Sequence, residues 1–66
     1  MTPAELRKAG ETLARNDPET YGRGWQSALA RTVGVNARTV RAWLSGQNQI
    51  PQPVGILVKM LVKESK

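Results

Sequence analysis

Three observations predict an all-α fold, a compact bundle of four to five short helices. Apolar residues recur at intervals of three and four along most of the chain, which is the spacing of one helix face. Glycine, proline and asparagine interrupt this pattern at residues 16–24 and 47–53. The chain has 66 residues and neither cysteine nor histidine, so it forms one domain at most, and helix packing must hold that domain together.

A first helix is predicted from about residue 3 to residue 15. Thr2 can cap it, Pro3 suits its first position, and Glu5 stands three residues after the cap, as a capping box requires. The apolar residues that follow share one narrow stripe: Leu6, Ala9, Gly10 and Leu13.

The loop over residues 16–24, which Tyr21 is expected to anchor against the body, leads to a second helix over residues 25–33. Gly34 ends this helix, because glycine readily adopts the positive φ that is common just past a helix C-terminus. Asn36 is then a good N-cap for a third helix. The inward residues of the third helix are Val40, Trp43 and Leu44.

Pro51 and Pro53 limit where a last helix can begin, and this helix is predicted over about residues 53–64. From residue 54 its sequence is VGILVKMLV, which is apolar around nearly the whole circumference. One helix of so small a domain can bury one face against its own chain, so the opposite face needs a partner. We therefore expect a homodimer contact from Val54, Ile56, Leu57, Val58, Met60 and Leu61. The alternative is an internal core helix with frayed apolar edges.

Composition argues against an enzyme, a cofactor and a membrane segment. Cysteine nucleophiles, histidine bases and thiolate zinc sites are absent, and the five carboxylates form no obvious pair in an apolar pocket. No apolar run approaches the ~20 residues that span a bilayer, and the N-terminus lacks the apolar stretch of a secretory signal. We therefore expect a cytoplasmic protein without catalytic residues, metal, cofactor or small-molecule ligand.

The charge of +5 is unevenly distributed. Residues 1–19 contain three basic and four acidic residues, whereas residues 20–63 contain six basic residues and no acid. A folded surface made from the second stretch attracts polyanions and favours nucleic acid as a partner. The alternative is a solvated basic surface that aids solubility.

The stretch from Gln26 to Gly46, QSALARTVGVNARTVRAWLSG, has the residues that two short helices need in order to cross steeply. Ala30 is small where the second of these helices passes close, and Gly34 allows the turn. Apolar residues that lock the corner are Leu29, Val33, Val35, Val40 and Trp43. Both Trp43 and Trp25 are expected in the core, because a chain with three aromatic residues needs their buried area.

This pattern resembles the helix-turn-helix of the lambda-repressor and Cro-like family of small phage and bacterial transcriptional regulators. Gln26 begins the first motif helix, an alanine and a glycine follow at intervals of four, and Trp-Leu-Ser-Gly ends the second helix. The resemblance covers residues 25–46 closely and the flanking helices loosely. It implies that residues 1–66 form a single helix-turn-helix DNA-binding domain.

In such a motif the second helix, here about residues 37–45, lies in the major groove and presents its N-terminal residues to base edges. The resemblance therefore implies base contacts from Ala37, Arg38, Arg41 and Ala42. An arginine fork matches the O6 and N7 acceptors of guanine, and alanine can touch a thymine methyl group. For the arginines, the alternative is a solvated charge on an exposed helix face.

Other residues are expected to hold the domain on the DNA backbone without reading sequence. By resemblance Gln26 is a phosphate contact, and the further candidates are Ser27, Asn36, Thr39, Gln47 and Asn48. Asn36 could serve only as a helix cap. Arg23 and Arg31 would add positive charge at the flank.

The function expected from these features is that of a sequence-specific regulator of transcription that binds double-stranded DNA, a Cro-like repressor associated with the nucleoid. A homodimer would place two recognition helices about one DNA turn apart on a roughly palindromic operator. Two other interpretations remain open. The chain could be a recombination or architectural accessory factor, or part of an antitoxin, or it could be a helical protein-interaction module that docks through its apolar last helix.

Overall fold

The computed structural model describes residues 1–64 of the protein. Its helices are α1 (Pro3–Asn16), α2 (Trp25–Val33), α3 (Ala37–Ser45) and α4 (Gln52–Glu64). No strand occurs among residues 1–64, so the predicted all-α bundle of short helices is confirmed, with four helices. Within the same residues, no helix is both long and apolar enough to cross a bilayer.

The first helix begins with the capping box that its sequence predicts. The backbone N–H of Thr2 donates to Oε1 of Glu5 at 2.9 Å, and the N–H of Glu5 donates to Oγ1 of Thr2 at 3.1 Å. These hydrogen bonds, the backbone one first, lower the pKa of the Glu5 carboxyl group. A lowered folded-state pKa stabilises the fold above the unfolded pKa, and this stabilisation is lost as the pH falls through the lowered value.

The loop between α1 and α2 is tied down by Tyr21, as expected. Tyr21 is buried, and its hydroxyl lies 3.2 Å from Oγ1 of Thr32 on α2. The Thr32 hydroxyl donates its one proton to the carbonyl oxygen of Ala28 at 3.0 Å, so Tyr21 is the donor in the first bond. These two hydrogen bonds attach the loop to α2.

All four helices contribute to one core. Helix α1 packs against each of the other three helices, α2 and α3 pack against each other, and α4 packs chiefly on α1. The predicted stripe of α1 faces inward in full. The buried apolar residues are Leu6, Ala9, Leu13, Tyr21, Ala28, Leu29, Ala30, Val40, Trp43, Ile50 and Val58.

The two tryptophans occupy different environments, although both were expected in the core. Trp43 is only 4% exposed and belongs to the central cluster. Trp25, at the first position of α2, is half-buried at the edge of that cluster. Its six-membered ring lies directly over Gly10 of α1, where a β-carbon would overlap the ring. The absence of a side chain at Gly10 therefore allows α1 and α2 to approach.

Replacing Trp43 by alanine should unfold the domain. Loss of a fully packed tryptophan costs about 3–5 kcal/mol, which is most of the stability that so small a domain can have. Trp25→Ala is the matched control and should cost less, because that ring is half-buried. Circular dichroism and thermal melting measure both variants, and an unchanged melt for Trp43→Ala would refute its central position.

Replacing Gly10 by alanine should also destabilise the fold, against the usual trend. In an ordinary helix interior this change stabilises by about 1 kcal/mol. Here the new methyl group overlaps the ring of Trp25, and overpacking of this kind costs about 1–3 kcal/mol.

A double-mutant cycle measured by chemical denaturation isolates this contact. In a Trp25→Ala background the overlap is absent, so Gly10→Ala should become neutral or stabilising. Equal effects of Gly10→Ala in both backgrounds would mean that the ring does not lie over Gly10.

Candidate nucleic-acid interface

The corner between α2 and α3 is a three-residue turn over residues 34–36. Gly34 has a φ of 86°, in the left-handed region that glycine enters at no steric cost. The N–H groups of Gly34 and Val35 both donate to the carbonyl oxygen of Ala30, each at 2.9 Å. These bonds end α2 as the sequence predicts. Ala30 itself is 2% exposed, which is consistent with a small residue at a close helix contact.

Asn36 defines the first turn of α3. Its backbone is extended, with φ of −87° and ψ of 163°, and its Oδ1 accepts a hydrogen bond from the backbone N–H of Thr39 at 2.9 Å. This is the N-cap geometry expected of asparagine. The cap determines which residues of α3 stand in its first two turns, and Arg38 and Arg41 are among them.

The two arginines project from the solvent side of α3. Both are exposed, and a spacing of three residues places them on neighbouring positions of one helix face. Among residues 1–64, neither guanidinium has a hydrogen-bond or ion-pair partner. Val40 and Trp43, on the inner side of the same helix, are buried. Helix α3 is thus anchored by apolar residues and presents two unpaired positive charges to solvent.

The two alanines predicted to contact bases border this charged face. Ala37 is half-buried and packs against the core, so only part of its surface is accessible. Ala42 is also half-buried and lies one turn after Arg38, next to Arg41. Because both side chains are small, no bulky group projects from the helix surface around the arginines.

The residues predicted to bind phosphate at the start of α2 are accessible to different extents. Ser27 is exposed and Gln26 is half-buried. The preceding Gly24 is the N-cap and provides no side-chain acceptor, so the first N–H groups of α2 have no capping bond.

A second group of predicted backbone contacts follows α3. Gly46, with a φ of 82°, turns the chain, and the N–H of Gln47 donates to the carbonyl oxygen of Ala42 at 3.0 Å. The side chains of Gln47 and Asn48 are exposed beside the end of the helix. They therefore lie at the opposite end of α3 from Asn36.

Thr39, a predicted phosphate contact, makes a hydrogen bond inside the protein. Its hydroxyl donates its one proton to Oδ1 of Asn36 at 3.0 Å. The same oxygen accepts the Thr39 N–H, and this identifies it as the amide oxygen, because an amide nitrogen cannot accept. The Nδ2 donors of Asn36 remain available on an exposed residue. Sequence reasoning missed this pairing, although an asparagine three residues before a threonine was its signal.

Two further arginines are exposed, one before α2 and one within it. Arg23 and Arg31 are exposed, and residues 20–63 contain no acid to offset the positive charge of this stretch. Within the described part of the chain, no cluster of acidic side chains could hold a metal ion. The exposed acids Glu11 and Glu19 belong to α1 and the loop after it.

The predicted dimer residues of α4 divide between two faces. Val58 is fully buried in the core, so it is an internal contact, whereas Val54 and Leu61 are partly buried and pack against the core. The other face carries Ile56 at 54% exposure and Met60 at 52% exposure, with a half-exposed Leu57 beside them. We call Ile56, Leu57 and Met60 the outer strip. One face of α4 therefore belongs to the core and the other is exposed, and the dimer contact stays a prediction.

An open cleft of about 570 Å³ adjoins the outer strip. Its walls come from the N-terminus, the segment before α4 and α4 itself: Met1, Gln49, Ile50, Pro51, Gln52, Gly55, Ile56 and Lys59. The cleft therefore continues the exposed apolar surface toward the start of the helix.

Comparison with known proteins identifies no relative. No protein-family model matches the chain, and no curated protein or solved structure matches it significantly.

Removal of the α3 cap should weaken the fold without abolishing it. Asn36→Ala loses the acceptor for the Thr39 N–H and should lower the free energy of unfolding by about 1 kcal/mol. Asn36→Asp keeps an oxygen acceptor and should retain most of the stability. Chemical denaturation compares the two variants, and equal losses would show that the side-chain oxygen does not cap α3.

Proposed function

We propose that this protein is a sequence-specific regulator that binds double-stranded DNA, a small Cro-like repressor that inserts α3 into the major groove. The observation that supports this most directly is the pair of exposed, unpaired arginines on the first two turns of α3. Each guanidinium can pair bidentately with the O6 and N7 atoms of a guanine. In this role the protein needs no catalytic residue, cofactor or small-molecule ligand, and it acts in the cytoplasm, associated with the nucleoid.

The contacts that hold α3 in place suit a helix that recognises DNA bases. A side chain that reads sequence must enter the groove at a fixed angle, and α3 is held by a cap at its start and by buried Val40 and Trp43. The small side chains of Ala37 and Ala42 allow the helix to approach the base edges closely.

Residues at both ends of α3 and at the start of α2 would hold the domain on the phosphates. Ser27 and the uncapped first turn of α2 offer donors at one place, and Gln47 and Asn48 offer donors at another. Asn36 contributes its free amide protons, with Oδ1 held by Thr39. Contacts of this kind fix register on the duplex and carry no sequence information themselves.

A second candidate function is a helical protein-interaction module, including an antitoxin or recombination accessory factor. The exposed Ile56 and Met60 favour it, because an apolar strip on a small protein marks a contact surface. Salt dependence separates the two classes. A DNA-binding protein loses affinity steeply as salt rises, and its specific binding exceeds random-sequence binding by orders of magnitude.

Selection of bound sites from random double-stranded DNA, followed by substitution of the arginines, tests the proposal. Arg38→Ala and Arg41→Ala should each weaken binding to the selected site by about 1–3 kcal/mol and relax preference at one base pair. Arg15→Ala, which removes an equal charge from an exposed position at the end of α1, should leave sequence preference unchanged.

The outcomes are distinguishable. Failure to recover any preferred site, together with salt-insensitive binding, would rule out a sequence-specific DNA-binding function. Selection could instead recover a preferred site that both arginine variants still distinguish from random DNA. That result would support DNA binding but would show that Arg38 and Arg41 do not read its sequence.

A further inference from the structure

We infer that the groove between α1 and α4 is a docking site for a short, extended, acidic segment of another protein. The inference goes beyond the proposed function, because none of the residues that line this groove belongs to α2 or α3. A segment bound there would leave the DNA-binding helix free. The groove is also distinct from the outer strip, of which it includes only Ile56.

Two clefts make up this groove. The open cleft of about 570 Å³ lies at the start of α4, and a second cleft of about 380 Å³ lies farther along the same helix. The walls of the second cleft come from α1 and α4: Glu5, Lys8, Ala9, Thr12, Lys59 and Val62. Because Lys59 borders both clefts, they follow one another along the seam between the two helices. We call the two clefts together the seam groove.

The length of the seam groove suits a short extended chain. Along α4 the groove runs from Gln52 to Val62. At 1.5 Å per residue this distance is about 15 Å, which an extended chain covers with about five residues. Gln49 and Gln52 are exposed at one end of the groove, and their amide groups can donate to and accept from the peptide groups of such a chain.

The seam groove has an apolar floor and cationic rims. Ala9, Ile50 and Gly55 line the groove and are themselves buried, so they form its floor. Lys8 of α1 and Lys59 of α4 are exposed beside this floor. Among residues 1–64, neither ammonium group has a hydrogen-bond or ion-pair partner. The two lysines are therefore free to pair with carboxylates of a bound segment.

The acid at the groove does not cancel this positive charge. Glu5 is the one acidic residue among those that line the two clefts, and its Oε1 accepts the N–H of Thr2 at 2.9 Å in the cap of α1. Lys63 is exposed one turn beyond Lys59 and extends the cationic rim. Three lysines against one acid that is held by the cap leave the groove with an excess of positive charge.

The combination of floor and rims determines which partner fits. A second copy of this chain would bring the same lysines against these, and like charges would repel. DNA phosphates would pair with the lysines but leave the apolar floor uncovered. A segment with apolar residues at its centre and acidic residues around them matches both the floor and the rims. The chemistry of the seam groove therefore favours an acidic peptide over a second copy or a nucleic acid.

Selection from a phage-displayed library of random peptides, with the full chain immobilised and no DNA present, tests the inference. Enriched peptides should carry acidic residues around an apolar centre. One enriched peptide is then synthesised with a fluorescent label, and its affinity for the protein is measured by fluorescence anisotropy. Replacement of its apolar residues by serine should abolish binding, because the floor of the groove then has no apolar partner.

Charge reversal on the protein identifies the binding surface. Lys8→Glu and Lys59→Glu should each weaken binding of the labelled peptide at least about tenfold, because an attractive contact becomes a repulsive one. Arg7→Glu is the matched control, since it reverses the same charge at an exposed position of α1 that does not line the groove, and it should bind the peptide like wild type. Circular dichroism confirms that each variant is folded.

Nuclear magnetic resonance gives a second measurement. When the peptide is added to ¹⁵N-labelled protein, the amide signals of Ala9, Gly55 and Lys59 should shift. Those of Arg38 and Arg41 on α3 should stay in place. Shifts that cluster on α3 would overturn the inference, because the peptide would then occupy the proposed DNA surface.

Three other results would also overturn the inference. They are a selection that enriches no peptide, enriched peptides without acidic residues, and equal affinity of the peptide for Lys59→Glu and Arg7→Glu. If no peptide were enriched and Lys59→Glu instead weakened binding of random-sequence duplex DNA, the seam groove would belong to nucleic acid. The peptide measurements contain no DNA, so they are independent of whether α3 reads sequence.

Discussion

The corner between α2 and α3 is the constraint on which the rest of the structure depends. One carbonyl oxygen, that of Ala30, accepts hydrogen bonds from two successive N–H groups, and this is possible because Gly34 adopts a positive φ. The chain then leaves α2 within three residues and begins α3 at a capped position. Burial of Val40 and Trp43 on one side of α3 then determines which side chains face solvent on the other. The exposure of both arginines is therefore a consequence of the corner and of core packing, and no interaction of the arginines themselves is involved.

Much of this architecture could be predicted from the sequence because its helix boundaries carry strong local signals. Thr2 and Glu5, Gly34, Asn36 and Gly46 each impose a backbone conformation or a hydrogen bond within a few residues, and α2 and α3 have the predicted bounds. Contacts between distant residues had no such signal. The ring of Trp25 over Gly10 joins residues fifteen apart, and the partition of α4 into two faces depends on where α1 lies. A helix that is apolar all round has no polar face to orient it, so only packing assigns its residues to core or surface.

Small size and uneven charge together limit the functions available to this chain. Eleven buried apolar residues, drawn from all four helices and from the loops before α2 and α4, form the one core of residues 1–64, and the large apolar side chains left most exposed, Ile56 and Met60, lie on α4. Acids are concentrated at the N-terminal part, so the positive charge of α2 and α3 is unopposed by neighbours in sequence. Such a field speeds encounter with a polyanion and gives affinity without selectivity. Selectivity requires donors held in fixed geometry, and the supported α3 is the element that can supply them.

In a homodimer of the kind that the sequence predicts, a weak contact between two copies along the outer strip of α4 would be an advantage for the proposed regulator. The coupling between self-association and DNA binding is reciprocal: whatever DNA adds to dimer stability, the dimer adds to DNA affinity. A large apolar interface would keep the protein dimeric at every concentration. Dimerisation would then no longer affect how operator occupancy depends on protein concentration. With an interface as small as the outer strip, two monomers must come together on an operator with two half-sites. Occupancy of that operator then depends on protein concentration more steeply than linearly. In the proposed regulator, the small area of the strip thus makes protein concentration itself the regulatory signal.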